Sequence, residues 1–194
     1  MKKDLNIKHS FISNMNTRGD VWISTVLYTL IGLAMIASLV AVIQPKVSEL
    51  KDKFVIEQTA QSLNVLDDTI LRTREATGTR LNYIIRMDKG NFIIDGVNEI
   101  IYWQTDSNYQ FSEENRTINL TLGNIKGITR PKDGMWNVTL LVDYRGYGVN
   151  LTVNDRDELK TLNPSSLAYS VWIANKGVQQ SGGNKVQQID FSVS

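Results

Sequence analysis

The chain has 194 residues, a formal net charge of +1 and no cysteine. That length suits one ordinary domain plus a helical extension, and the nearly balanced charge supplies no global field for nucleic acid or another polyanion. The lack of cysteine excludes thiolate catalysis, thiolate–metal sites and a disulfide framework, so an exported head would rely on packing and strand pairing alone.

Lys2, Lys3, Lys8 and Arg18 come first, opposed by Asp4, with Asp20 at the edge of the next segment. Residues 21–43 contain no Asp, Glu, Lys or Arg. At about 1.5 Å per residue the run reaches roughly 34 Å, enough for the hydrocarbon core of a bilayer. A charge near its middle would cost about 2.5–3.5 kcal/mol on insertion, so the stretch reads as one membrane-crossing helix. Positive charge stays on the cytoplasmic side, which places the N-terminus inside and the C-terminal part outside the cell. Ala34 and Ser38, like Ala37 and Ala41, are four residues apart, a spacing that lets helices pack closely in lipid. Ordinary membrane-helix composition supplies the same residues.

After Pro45, apolar residues fall at Val47, Leu50, Phe54, Ile56, Ala60, Leu63, Leu66 and Ile70. Steps of three and four predict an amphipathic helix with Lys51, Glu57, Gln61, Asp68 and Arg72 on its other side. Pro45 is a candidate kink, and Gly78 a terminator.

From about residue 79 the period shortens to that of strands. Residues 81–87 and 92–95 flank Asp88-Lys89-Gly90-Asn91, which reads as a hairpin. Further strands are expected at 99–105, 116–122, 136–144, 147–153, 167–175 and 186–193, the last two separated by Gly177 and Ser181-Gly182-Gly183-Asn184. The fold class predicted is α+β: a long hydrophobic-then-amphipathic N-terminal helix packed on an antiparallel β-sheet or β-sandwich head.

Catalytic signals are sparse. The single histidine, His9, precedes the apolar run, which removes Ser-His-Asp chemistry and His-based metal centres from the head. Asp67-Asp68 reads as a pair of solvated acids. Asp95, Asp106, Asp133, Asp143 and Asp155 are scattered and lack the spacing of known calcium loops. No cofactor and no enzymatic activity are expected. Asn115, Asn119, Asn137 and Asn150 each start an Asn-X-Thr acceptor sequence for N-glycosylation, whereas Asn163 is followed by proline. Plain solvent-facing Asn and Thr is the alternative reading. Trp103, Trp136, Tyr144 and Tyr147 read as core residues or cross-strand pairs, with sugar binding as the alternative.

Arg18-Gly19-Asp20, placed directly before the charge-free run, resembles the processing site of archaeal type IV pilins and archaellins. A looser resemblance covers residues 58–102, including Leu66-Asp67-Asp68, Arg74-Glu75-Ala76, Gly78-Thr79-Arg80 and Asp88-Lys89-Gly90. The resemblance implies a class III signal peptide at 1–19, an assembly helix at 20–77 and an extracellular head at 78–194. It also implies a structural subunit of a pilus-like surface filament, held first in membrane lipid and then against copies of itself. The implied partners are a prepilin peptidase, an assembly ATPase and a membrane platform protein. Ser24 stands at the fifth mature position, where many bacterial pilins have Glu, so the charge pairing of those pilins is not carried over. The competing expectation is an uncleaved single-pass surface protein with a ligand-binding β-domain.

Overall fold

The computed structural model describes residues 17–121, 123–181 and 184–194. Residues 1–16 of the expected leader, Leu122 of an expected strand and the Gly182-Gly183 turn lie outside the described residues. The chain divides into two units, Met1–Gln44 and Pro45–Ser194. One helix, α1 (Thr17–Glu75), supplies elements of both and runs through Pro45 unbroken.

In the first unit, α1 is long and apolar enough to cross a membrane, and it buries nothing against protein. Three of its hydroxyls turn back onto the helix. Thr25, Thr29 and Ser38 donate to the carbonyls of Val21, Val26 and Ala34, each at 2.8 Å. Such bonds satisfy polar groups where no water is present.

The second unit is α+β. Its strands are β1 (Arg80–Met87), β2 (Asn91–Asp95), β3 (Ile100–Ser107), β4 (Thr117–Asn119), β5 (Ile125–Lys132), β6 (Met135–Asp143), β7 (Val149–Val153), β8 (Leu159–Leu162), β9 (Ser165–Ser181) and β10 (Asn184–Val193). They form a four-stranded sheet in the order β1-β9-β10-β7 and a six-stranded sheet in the order β4-β5-β6-β3-β2-β8. Every pairing is antiparallel except β7 with β10. One buried cluster joins Ile56, Ala60, Leu63, Leu66 and Ile70 of α1 to residues of both sheets, among them Trp103, Leu140, Ile173 and Phe191.

Several expectations are corrected. Residues 88–91 make no hairpin, because β1 pairs with β9 and β2 pairs with β3 and β8. The connection instead carries the chain from one sheet to the other over Trp103, whose indole N–H donates to the Lys89 carbonyl at 3.1 Å. Gly90 (φ 79°) is required there, since a Cβ would lie 2.5 Å from that indole nitrogen. Hairpins form instead between β2 and β3, β4 and β5, β9 and β10, and β5 and β6, the last through Asp133 (φ 46°) and Gly134 (φ 78°), a two-residue turn. β5 and β8 were not expected, and the expected strand at 116–122 shrinks to β4. Val47, Leu50 and Phe54 do not join the buried face of α1. They are exposed, and burial begins with Asp52 and Ile56.

That face carries two buried carboxylates. Asp52 accepts from the Lys89 ammonium and from the Asn108 backbone and side-chain amides at 2.7 and 3.0 Å. Burial pushes its carboxyl up, but these hydrogen bonds outweigh burial and hold it below the ordinary value. Asp67, expected in solvent, is buried instead and accepts from the Tyr144 hydroxyl at 2.8 Å and the Asn124 amide at 3.4 Å. Burial dominates there, and with the charge of Asp68 it raises the Asp67 carboxyl above its usual value. The end of α1 is held by Asn175 of β9, whose side-chain amide donates to the carbonyls of Thr73 and Arg74 at 2.9 and 3.1 Å. These carbonyls belong to the last turn, which the helix itself leaves unsatisfied.

A further tie spans the sheets. Glu99 (φ 57°), between β2 and β3, accepts the Leu151 N–H of β7 at 2.5 Å. Burial first, then Asp157 and Asp95, push its carboxyl up to about 7 against that hydrogen bond.

Replacing Asp52 by Ala leaves two Asn108 donors without their acceptor and returns the partly exposed Lys89 ammonium to water, and is expected to destabilise the head by about 1–3 kcal/mol in urea unfolding of the detergent-solubilised chain. Glu99 has the opposite pH sense from Asp52. Its raised value means that the folded state binds the extra proton, so stability falls as pH rises from 4.5 through about 7. Glu99→Gln should flatten the stability profile across that window, and an unchanged slope would count against the assignment.

Candidate functional site

Two surfaces carry the residues that the sequence singled out. The first is the membrane-length part of α1. Fifteen large apolar side chains of residues 21–43 are exposed, from Val21, Trp22 and Ile23 to Val42 and Ile43. Covering each contributes about 1.5 kcal/mol or more, so the total is on the order of 20 kcal/mol. That exceeds the roughly 5–15 kcal/mol that keeps a typical domain folded, so this surface requires apolar surroundings. Ala34, Ala37, Ser38 and Ala41 are all exposed and, at 3.6 residues per turn, share an arc of about 100°. Ser38 donates to Ala34, which leaves the arc without an unsatisfied hydroxyl. Arg18, Gly19 and Asp20 fall in the first turn of α1.

The second surface is the head. Asn115 (φ 57°) and Asn119 are exposed, as are the Thr117 and Thr121 hydroxyl residues of their acceptor sequences. Asn137 and Asn150 are half-buried, and their side-chain amides donate to Asp106 at 3.0 Å and Asp157 at 3.3 Å. Their partner threonines, Thr139 and Thr152, are buried, and Thr152 donates to Asp190 at 2.8 Å. The four acceptor sequences are therefore alike in sequence and unlike in access.

No metal-ligating cluster of three or more His, Cys, Asp or Glu occurs among the described residues. The scattered acids are engaged one by one. Asp95 accepts from the amides of Val97 and Asn98, Asp106 from Lys132 and Asn137, and Asp143 from Arg145. Asp155 pairs with Lys176, and Asp133 occupies the β5–β6 turn. Of the four aromatics, Trp103 and Tyr144 are buried, Trp136 is half-buried and packs on the core, and Tyr147 is 42% exposed.

Two cavities in the head were not anticipated. One, of about 170 Å³, lies between α1 and β1, lined by Val55, Ser62, Leu63, Tyr83, Ile85 and Phe92 among others. Tyr83 spans it, donating to the Ser62 carbonyl at 2.7 Å. The other, of about 360 Å³, opens where β4, β5 and the end of β6 meet. Neither was legible, because each is lined by residues distant in sequence.

No protein-family model, curated protein or solved structure matches this chain.

If the head is glycosylated, Asn115 and Asn119 should carry glycans at higher occupancy than Asn137 and Asn150. Mass analysis of the four peptides from the native host checks this, and equal occupancy at all four would contradict it.

Proposed function

We propose that the chain is a pilin-like structural subunit of a surface filament, assembled through the helical segment within residues 20–77 with the head outside the cell. The observation that carries the reading is an apolar helix segment, uncovered by protein, directly behind Arg18-Gly19-Asp20. A prepilin peptidase would cut after Gly19 on the cytoplasmic side, and the basic flank supports that orientation. The assembly ATPase and the membrane platform protein would then pass the subunit from lipid to neighbouring copies. In lipid or among copies, the same side chains escape water. The small-residue arc of Ala34, Ala37, Ser38 and Ala41 supplies a close-contact face for the helices.

A second reading is an uncleaved surface protein with a ligand-binding head. The cavity between α1 and β1 favours it. The two differ at one peptide bond. N-terminal mass analysis of protein from native membranes should show Asp20 as the first residue, and an intact leader in the assembled protein would overturn the filament reading.

A further inference from the structure

The cavity where β4, β5 and the end of β6 meet is lined by amide, charged and aromatic side chains. Asn119 on β4 pairs directly with Lys126 on β5, so their side chains share one face of the six-stranded sheet. Asp143, at the end of β6, lies on the same rim. Arg145 grips it through Nε at 2.9 Å and a terminal nitrogen at 2.7 Å, and Lys126 approaches it at 3.9 Å. These hydrogen bonds hold the Asp143 carboxyl below its ordinary value. Asp143 is thus taken up chiefly by Arg145, which leaves the Lys126 ammonium and the neutral Asn119 and Asn124 amides as hydrogen-bonding groups of the rim.

Tyr147 also lines the cavity. It sits between Gly146 (φ 88°) and Gly148 (φ 67°) in the β6–β7 connection. Its backbone is fixed by hydrogen bonds, from its N–H to the Tyr144 carbonyl and to its carbonyl from Arg74, both at 3.1 Å. Its ring meets Tyr144 at 66° with centroids 6.3 Å apart. The loop thus holds a partly exposed aromatic ring beside hydrogen-bonding groups. The volume, about 360 Å³, is at the small end for ligand pockets.

Asn119 is both part of the cavity wall and an exposed N-glycosylation acceptor. We propose that the cavity holds a saccharide, the proximal sugar of a glycan carried by Asn119 itself. Tyr147 provides the apolar platform for the sugar ring, while Asn124, Lys126, Asp143 and Arg145 supply donors and acceptors for its hydroxyls. Attachment is a glycosyl transfer from a phosphate-activated sugar donor. Asn119 Nδ2 bonds to the anomeric carbon, the carbon–oxygen bond to phosphate breaks with its electron pair staying on phosphate, and one Nδ2 proton passes to a base. The docked sugar would pin the β6–β7 connection to β4. This inference rests on the exported head of the filament reading.

The test is hydrogen–deuterium exchange on the full chain, purified in detergent from its native host. Thr121→Ala removes the acceptor sequence at an exposed position and keeps the Asn119 side chain. Tyr147→Ala removes the platform and keeps the acceptor. A saccharide on the Asn119 peptide is expected, with amides of residues 145–148 exchanging about tenfold more slowly in the wild type than in Thr121→Ala. Tyr147→Ala should keep the saccharide and lose the slowing at the neighbouring amides. An unmodified Asn119, or a saccharide there without slowed exchange, overturns the proposal. Slowing that survives Thr121→Ala but not Tyr147→Ala puts a neighbouring molecule's sugar in the cavity and overturns the assignment to Asn119. In a second arm, the unglycosylated full chain is titrated with N-acetylglucosamine. Slowed exchange at residues 145–148 is expected at millimolar sugar, and its absence overturns the site. A retained leader would sink the filament reading and leave these rates untouched, so the two failures are distinguishable.

Discussion

The head is organised by carboxylates that α1 turns inward. Asp52 and Asp67 lie on the face that also buries Ile56, Ala60, Leu63 and Ile70. Apolar side chains of similar size would tolerate a slip of the helix by one turn, because their burial is not directional. Buried carboxylates do not, since each would lose its partners at a penalty of several kcal/mol. The helix therefore has one seat, with Lys89 and Asn108 at Asp52 and Tyr144 and Asn124 at Asp67. Asn175 closes the far end through the last helical carbonyls. The polar contacts set the register, and hydrophobic burial supplies the driving force.

What the sequence revealed depended on how local the cause was. The charge-free run, the amphipathic spacing from Ile56 to Ile70 and most strands follow from periodicity, which neighbouring residues set together. β5 was hidden by Gly127 and Pro131, both poor strand residues. Gly127 is there because a Cβ would come within 2.7 Å of the Phe111 ring. β8 is four residues long with one fully buried side chain, too little for a pattern. The false hairpin at 88–91 arose because a glycine-containing turn looks the same whether it reverses a strand or hands it to another sheet. Asp67 looked solvated because its partner, Tyr144, is 77 residues away. Among the site residues, the small-residue arc and the four acceptor asparagines could be located from spacing and tripeptides. Their differing access depended on tertiary packing, as did the cavity around Tyr147.

The two surfaces divide the chemistry of the chain. In the apolar segment of α1, the Thr25, Thr29 and Ser38 hydroxyls bond to the helix's own carbonyls, which suits apolar surroundings. The head holds part of its charge in pairs. Asp143–Arg145, Asp106–Lys132 and Asp155–Lys176 are examples. Such pairs add little stability at a wet surface.

The pairing of β1 sets an order of events. Its sheet partner, β9, enters the chain about 90 residues later, and Asn175, which finishes the end of α1, lies in that same strand. During synthesis, β1 and the last helical turn must wait for nearly the whole polypeptide to emerge. Contacts of such long sequence separation slow folding and prolong the time during which a strand edge stays unpaired. A nascent chain of this design spends that interval with its lower-numbered half incomplete, so premature termination anywhere before β9 leaves an edge open to aggregation.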